Sequence, residues 1–303
     1  WVTGHSYIVY GPLANKTTSV MYEGAPNAPD EKRLWSIVEK YKVNIFYTAP
    51  TAIRALEAKG LKYVKPYNLR SLKVLGTVGE PINEDAWNWY NENIGEKDIP
   101  IVDTWWQTET GGIMISNLAG VTPSKATFAT LPLPGIQPCI MDNDGNELNN
   151  LNVEGKLCIK FPWPSMARTI YGDHKRFKET YFNTFENMYF TGDGCVRDNG
   201  MYRITGRVDD IIIVSGHNLG TAEIESAIDE HPNVCETAIV GYPHKIKGNA
   251  IYAFIITQGV INDEIKTKAE INSLLVKNVG PIAKVEKIQF VNGLPKTRSG
   301  KIM

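Results

Sequence analysis

The chain ends in Lys296-Thr-Arg-Ser-Gly-Lys-Ile-Met303, where Lys301 follows a run of small and basic residues. Upstream lie Thr191-Gly-Asp-Gly194, Ile204-Thr-Gly-Arg207 and the apolar stretch Val208-Asp-Asp-Ile-Ile-Ile-Val-Ser-Gly216. A carboxylate can accept hydrogen bonds from both ribose hydroxyls, an arginine can grip phosphate, and a lysine on a mobile segment can swing in on demand. Acid, base and glycine in this order suit holding a nucleotide. Asp193, between two glycines, also reads as a turn aspartate; Arg207, just past the next short hairpin, favours the ribose role. Arg207 can pair with Asp209 or Asp210 as a surface bridge of small worth, or meet a phosphate, which Thr205-Gly206 favours by allowing close backbone approach. Lys301 reads either as a solvated tail or, after the flexible neck Thr-Arg-Ser-Gly, as an ammonium that reaches a distant site.

Two earlier segments could complete such a site. In Gly79-Glu80-Pro81 the glycine permits close approach and the glutamate can face an adenine edge; a strand-ending turn fits equally well. Thr104-Trp105-Trp106-Gln107-Thr108-Glu109 offers a bulky wall, with Thr108 and Glu109 supplying oxygens for phosphate or a divalent cation. Packing tryptophans and capping threonines are its plain alternative.

Elements at the right spacing surround these segments. Leu34, Ile37, Val38 and Tyr41 share one face of a helix predicted over 30–41, with Asp30 as its cap. A buried strand follows at 43–47, a helix at 51–59 closed by Gly60, a strand at 72–75, a helix at 83–94 and a strand at 99–103. Alternating strand and helix predict a parallel sheet wrapped by helices. Ligands of such sheets lie beyond the carboxyl ends of the strands, where loops 76–81 and 103–112 fall. From about residue 113 short β segments at 135–141, 155–160, 188–191 and 201–204 predict a β-rich subdomain. A helix at 221–230 capped by Thr221, strands at 234–241 and 250–257, a helix at 262–278 and a strand at 285–291 predict a small mobile α+β domain of about 95 residues. The expected division is 1–208 and 209–303, with a hinge at Asp209-Asp210.

The 303 residues are 43% apolar and 21% charged, an ordinary soluble composition with room for two cores. A net charge of −1 offers no field for nucleic acid or an anionic membrane. Cys139, Cys158, Cys195 and Cys235 form no CxxC pair and read as reduced and mostly buried. The five histidines lack zinc spacing. With no signal peptide and no membrane-length apolar run, the expected compartment is the cytoplasm. The chain opens without methionine and stops just after Lys301, as expected of a piece of a longer protein.

With these motifs in place, the chain resembles the carboxyl-terminal part of the AMP-forming acetyl-CoA synthetases, within the adenylate-forming superfamily. The matching stretches are Trp1-Val-Thr-Gly-His-Ser-Tyr7, Tyr47-Thr-Ala-Pro-Thr51, Gly76-Thr-Val-Gly-Glu-Pro-Ile82, Asp103 to Gly111, Tyr171-Gly-Asp-His174, Ile204-Thr-Gly-Arg207, Gly220-Thr-Ala-Glu-Ile-Glu225 and Leu294 to Met303. The resemblance covers the whole chain. It implies the later part of a large AMP-binding domain followed by a mobile carboxyl-terminal domain. It also implies that Gly79, Glu80, Pro81, Asp103, Thr104, Trp105, Trp106, Gln107 and Thr108 line the ATP site, that Asp193 holds ribose, and that Arg207 holds phosphate. Lys301 is implied as the lysine of adenylation. Thr3, Asn27 and Ser215 match coenzyme A contacts; Thr3, Val78 and Trp106 match a short acyl pocket; Asp229, His231 and Val234 match a magnesium position, partly through main-chain carbonyls. ATP, Mg2+ and coenzyme A are the implied cofactors and acetate the acid; the alternatives are a ligase of the same family for propionate or a longer acid, and a non-catalytic module that binds nucleotide or a partner. Nucleic acid and membranes are not implied; the Lys301 loop, read as exposed, leaves room for a protein acetyltransferase and deacetylase to act on Lys301, whose charge acetylation would remove. Asn218 stands where the family has a phosphate-contacting arginine, and Val276 where an arginine for coenzyme A phosphate is expected. The family's Ser/Thr/Gly-rich phosphate loop belongs upstream of Trp1, so the fragment alone is expected to have little or no activity.

Overall fold

The computed structural model describes residues 2–215, 217–296 and 302–303. Lys301 lies outside the described residues, as do the side chains of Ile213 and Asn218. The chain divides into two units, Trp1–Ile204 and Thr205–Met303. The break falls a few residues before the one expected from the acidic pair.

The first unit begins with a wide helical turn of π type over Gly4–Tyr10 that runs on into α1, Gly11–Ala14. Helix α2, Arg33–Tyr41, buries Leu34, Trp35 and Val38, spaced for one helical face. It starts later than predicted. Asp30 does not cap it, but accepts the Lys32 N–H in the preceding turn at 2.9 Å.

The parallel sheet follows in chain order: β1 Ile45–Thr48, α3 Pro50–Lys59, β2 Val74–Val78, α4 Glu84–Asn93, β3 Ile101–Trp105, β4 Ile115–Ser116. Strands β1, β2 and β3 are parallel neighbours, and β4 adds an antiparallel edge. Pro50 at the first turn of α3 has a fixed φ suited to the helix start. Asn83 caps α4 by accepting the Ala86 N–H at 3.0 Å, with Glu84 and Asp85 facing the positive helix end. Strand β2 is buried from Leu75 to Val78, as a strand covered on both faces must be. β1 is less buried than predicted: Ile45 is exposed. Trp35, Ile53, Leu75, Tyr90 and Ile101 form the core between this sheet and its helices.

The β-rich half carries β5 Pro138–Met141, β6 Val153–Ile159, α5 His174–Tyr181, β7 Tyr189–Asp198 and β8 Met201–Arg207, with strands in the order β5-β6-β7-β8. Helix α5, capped by Asp173 through the Arg176 N–H, is absent from the sequence reading. Its one buried residue, Phe177, gives too little periodic signal. Met114, Ile115, Ile140, Leu157, Trp163 and Tyr189 form this core. Cys139, Cys158 and Cys195 are buried free thiols and Cys235 is exposed.

The second unit holds β9 Ile211–Val214, β10 His217–Gly220, α6 Thr221–Asp229, β11 Val234–His244, β12 Gly248–Thr257, α7 Glu264–Asn278 and β13 Lys287–Phe290. Its sheet runs β10-β9-β12-β11, with β13 parallel to β12. Ile224, Ile228, Ile251, Ile255, Ile271 and Leu275 are its centre. Thr221 is not a cap: α6 starts straight out of β10 at Gly220, and no side chain caps it. Asp263 does cap α7, accepting the Lys266 N–H at 2.9 Å.

Candidate active site

Asp193 is a buried carboxylate that two described side chains hold as donors. Its Oδ2 accepts the Trp105 indole N–H at 3.0 Å and the Gln107 amide at 2.8 Å. Strand periodicity accounts for the placement: Tyr189, Thr191, Asp193 and Cys195 alternate onto the buried face of β7. The end of β3 brings Trp105 to the same place, and Gln107 follows two residues later. Tyr189 orients Gln107 by donating its hydroxyl to Oε1 at 2.9 Å. The amide nitrogen therefore faces Asp193 and the Thr191 carbonyl, the latter at 2.7 Å. Hydrogen bonds to a carboxylate from a water-poor site are among the stronger ones, and together they fix its orientation.

A second polar layer lies beneath the carboxyl ends of β2 and β3. Thr77 and Asp103 are register partners, and the Thr77 hydroxyl donates to Asp103 Oδ1 at 2.7 Å. Thr104 Oγ1 donates to the Thr77 carbonyl at 2.8 Å and accepts from the Tyr47 hydroxyl at 2.7 Å. Burial pushes the Tyr47 hydroxyl well above its ordinary range, so it stays a donor.

Burial also pushes the Asp103 carboxyl up from 3.8 to about 6, against the lowering effect of the Thr77 and Thr104 hydrogen bonds. The folded state therefore binds this proton more tightly than the unfolded chain. The stability this gives is fully present below pH 3.8 and is lost as pH rises through about 6. Asp103→Asn should remove that dependence: chemical denaturation from pH 4 to 7 is expected to show the variant gaining on the native protein as pH rises. A constant difference across the range would show that Asp103 does not titrate there.

At the end of β2, Gly79 takes φ +96°, a conformation that glycine adopts without strain. This turn sends Glu80 toward the start of α3, where its Oε1 accepts the Thr51 N–H at 2.5 Å and pairs with Arg54 at 3.5 Å. Glu80 is thus engaged with a helix N-terminus, while Pro81 and Thr108 are exposed. Glu109 accepts the Tyr181 hydroxyl at 2.6 Å, and the Tyr181 ring stacks on Tyr189 with centroids 5.1 Å apart. Gly111 takes φ +70°, and a Cβ there would stand 2.1 Å from the Ser165 carbonyl oxygen. That close crossing brings 165 alongside Thr110, whose carbonyl accepts from Trp163 and Ser165.

The two tryptophans part company. Trp105 is core and serves Asp193; Trp106, half-buried, meets Tyr7 edge-to-face at 5.1 Å. Val78 is buried, Thr3 is half-buried and Asn27 is exposed. Among the described residues no hydrogen bond joins Thr3 or Asn27 to the Asp193 group.

In the second unit Arg207 donates from Nε to Asp209 Oδ1 at 3.0 Å, both side chains being exposed. The surface pairing left open by the sequence is thus formed. Asp209 lies in a short turn over Val208–Asp210. Ser215 takes φ +50° and donates its N–H to the Lys247 carbonyl at 2.9 Å. Asn218 pairs with Ile213 in the β9–β10 hairpin through its backbone. His231 is buried, with Nδ1 accepting the Asn233 N–H at 3.2 Å and Nε2 facing Glu270 Oε2 at 3.3 Å. Both ring nitrogens are committed, so the ring closes the end of α6 and does not fit a metal ligand. Val234 follows as the first residue of β11. No group of three His, Cys, Asp or Glu among the described residues is placed to hold a metal ion. Lys296 pairs with Glu236 at 2.6 Å, and its register partner is Ile302.

Comparison with known proteins accords with this arrangement. The AMP-binding enzyme family model matches residues 1–171, and the model of the AMP-binding enzyme C-terminal domain matches residues 223–301. The chain belongs to the AMP-binding enzyme family. Curated relatives include acetyl-coenzyme A synthetases of Leptospira biflexa, 56% identical over 306 residues, and of Syntrophobacter fumaroxidans and Rhizobium meliloti, each 57% identical. Each match takes in 100% of this chain and 47% of the relative, so the chain spans about half the length of these relatives. A crystal structure of the anthranilate CoA ligase AuaEII in complex with anthranoyl-AMP superposes with a TM-score of 0.84 and 26% identity, over 99% of this chain and 55% of that one. The helix-wrapped sheet and β-rich subdomain followed by an α+β unit accord with that family.

Sequence reading singled out Trp105, Gln107 and Asp193, which the fold brings together. It missed Tyr7, Tyr47, Thr77, Tyr181 and Tyr189, the residues that hold them or their neighbours. Tyr189 was within reach, since it shares a strand face with Asp193. Thr77 was not, because its pairing with Asp103 needs the register of two strands.

Proposed function

We propose that the complete protein containing this chain is an AMP-forming acid–thiol ligase acting on acetate. The observation that supports this best is the Asp193 carboxylate oriented by Trp105 and Gln107, in a chain 56–57% identical to named acetyl-coenzyme A synthetases. In the first half-reaction an acetate oxygen attacks the α-phosphorus of MgATP, the α–β phosphoanhydride bond breaks, and pyrophosphate leaves. Asp193 receives the ribose hydroxyls, while segments 79–81 and 103–108 line the nucleotide. Arg207, released from Asp209, and Lys301 oppose the charge that builds on the phosphate. In the second half-reaction a turn at Asp209 withdraws Lys301. The coenzyme A thiolate attacks the acyl carbon, the acyl–phosphate bond breaks, and AMP leaves. Such turns can limit turnover. Thr3, Asn27 and Ser215 are proposed coenzyme A contacts.

Magnesium enters with ATP as substrate. A further cation at Asp229, His231 and Val234 would rest on the Asp229 carboxylate and main-chain carbonyls, since the His231 ring is committed. Trp106, Val78 and Thr3 end the acyl pocket. Excluding one added methylene is worth roughly 1–3 kcal/mol, so propionate is a poor substrate rather than a forbidden one. On this reading the protein works in the cytoplasm, and a protein acetyltransferase and deacetylase act on Lys301. No described helix is long and apolar enough to cross a membrane.

A second reading, a non-catalytic nucleotide-binding module, is favoured by the exposed Val276 on α7 and by Asn218, where charged phosphate contacts are expected. One assay separates them. The complete protein given ATP, acetate and coenzyme A should form AMP and acetyl-CoA in equal amounts, and the isolated 303-residue chain should form neither. Nucleotide binding by the complete protein without AMP formation would support the module.

A further inference from the structure

Trp106 carries the acetate assignment, yet its own position rests on little. Among the described residues Tyr7 is the one ring against it, at 5.1 Å and 81° between planes. No described residue hydrogen-bonds the Trp106 indole N–H. A half-buried indole without a polar anchor takes its orientation from packing alone.

Tyr7, by contrast, is fixed on two sides. Its hydroxyl accepts the Ile113 N–H at 2.7 Å, tying the first helical turn to the segment that follows the loop after β3. Its ring also meets Tyr47 edge-on at 6.2 Å and 75°. Tyr47 is anchored in turn, since its hydroxyl donates to Thr104, which donates to the Thr77 carbonyl of β2. Within β2, Gly76 leaves space for the Tyr47 ring, for a Cβ there would fall 2.4 Å from it. The sheet therefore fixes Tyr47, Tyr47 and Ile113 fix Tyr7, and Tyr7 presents its ring to Trp106.

We infer that Tyr7 is a specificity-determining positioning residue, which holds the Trp106 indole across the acyl site so that a two-carbon acid fits and longer acids are disfavoured. This rests on the proposed role of Trp106 as the end wall of that site. Removing the ring of Tyr7 frees the indole to turn aside and lengthens the site without touching the nucleotide.

The test compares kcat/KM for acetate, propionate and butyrate in the complete protein, carrying Tyr7→Phe, Tyr7→Leu, Trp106→Gly, or Tyr7→Leu with Trp106→Gly. Tyr7→Leu is expected to raise the propionate-to-acetate ratio about tenfold, the scale on which a pocket discriminates one methylene. The change should fall on KM for the acid, with KM for ATP unmoved. Tyr7→Phe keeps the ring and should keep most of the acetate preference. The double variant should match Trp106→Gly alone, since without the indole Tyr7 has nothing to hold. If Tyr7→Leu fails to fold, Tyr7→Met carries the same readout. Equal losses for all three acids would overturn the inference, and so would a Tyr7 effect undiminished in the double variant. If Trp106→Gly shifts the ratio and Tyr7→Leu does not, the inference alone fails. If Trp106→Gly leaves the ratio unchanged, the pocket assignment fails and takes the inference with it.

Discussion

Asp193→Asn in the complete protein is expected to lower kcat/KM for ATP by roughly a hundredfold or more, the equivalent of losing one or two hydrogen bonds to a charged group. The carboxylate accepts from Trp105 Nε1 and Gln107 Nε2 at 3.0 and 2.8 Å. An asparagine can keep those donors only by turning its amide oxygen toward them. Its NH2 then faces the ligand, where ribose hydroxyls also come to donate, and donor meets donor. The opposite rotamer sets the amide against the indole and the Gln107 amide in a buried site. Gln107 cannot invert to relieve this, because Tyr189 donates to its Oε1 and its nitrogen also serves the Thr191 carbonyl. Steady-state kinetics with varied ATP checks the prediction, and KM for the acid should move little. A variant with unchanged kcat/KM for ATP would remove Asp193 from the nucleotide site.

Lys301→Ala should separate the two half-reactions. Loss of a positive donor aimed at the transferring phosphate is expected to slow adenylation by about a hundred- to a thousandfold. Thioester formation from supplied acetyl-adenylate and coenzyme A should persist, since the proposed turn at Asp209 takes Lys301 out of that step. Lys301→Gln, which removes the charge as acetylation does, should behave in the same way. Single-turnover measurements of each half-reaction decide this. Equal loss in both halves would mean that Lys301 supports the domain as a whole rather than the phosphoryl-transfer step.

Much of this arrangement was legible from residue pattern, and the missing parts share a cause. Alternation of apolar strand and amphipathic helix placed α2, β2, α4 and β3 within a few residues, because burial on both faces of β2 leaves a continuous apolar run. Helix α5 buries only Phe177, so its periodicity carried no signal. Thr221 looked like a cap, but β10 runs directly into α6 and fixes the first turn without one. The site shows the same contrast. Asp193, Trp105 and Gln107 were visible as residue types, whereas Thr77 opposite Asp103 depends on strand register. Tyr7 and Ile113 stand more than a hundred residues apart, and no local spacing predicts their hydrogen bond. Arg207 shows the limit in reverse: the sequence offered both a phosphate and an ion pair, and the pair with Asp209 is formed.

Acetate-dependent exchange of labelled pyrophosphate into ATP by the complete protein reports reversible adenylate formation without coenzyme A. Exchange should require acetate and should collapse in Asp193→Asn and Lys301→Ala; an acetyl-adenylate formed at Asp193 and Lys301 demands both. Nucleotide binding with no exchange, or exchange indifferent to the acid supplied, would contradict it.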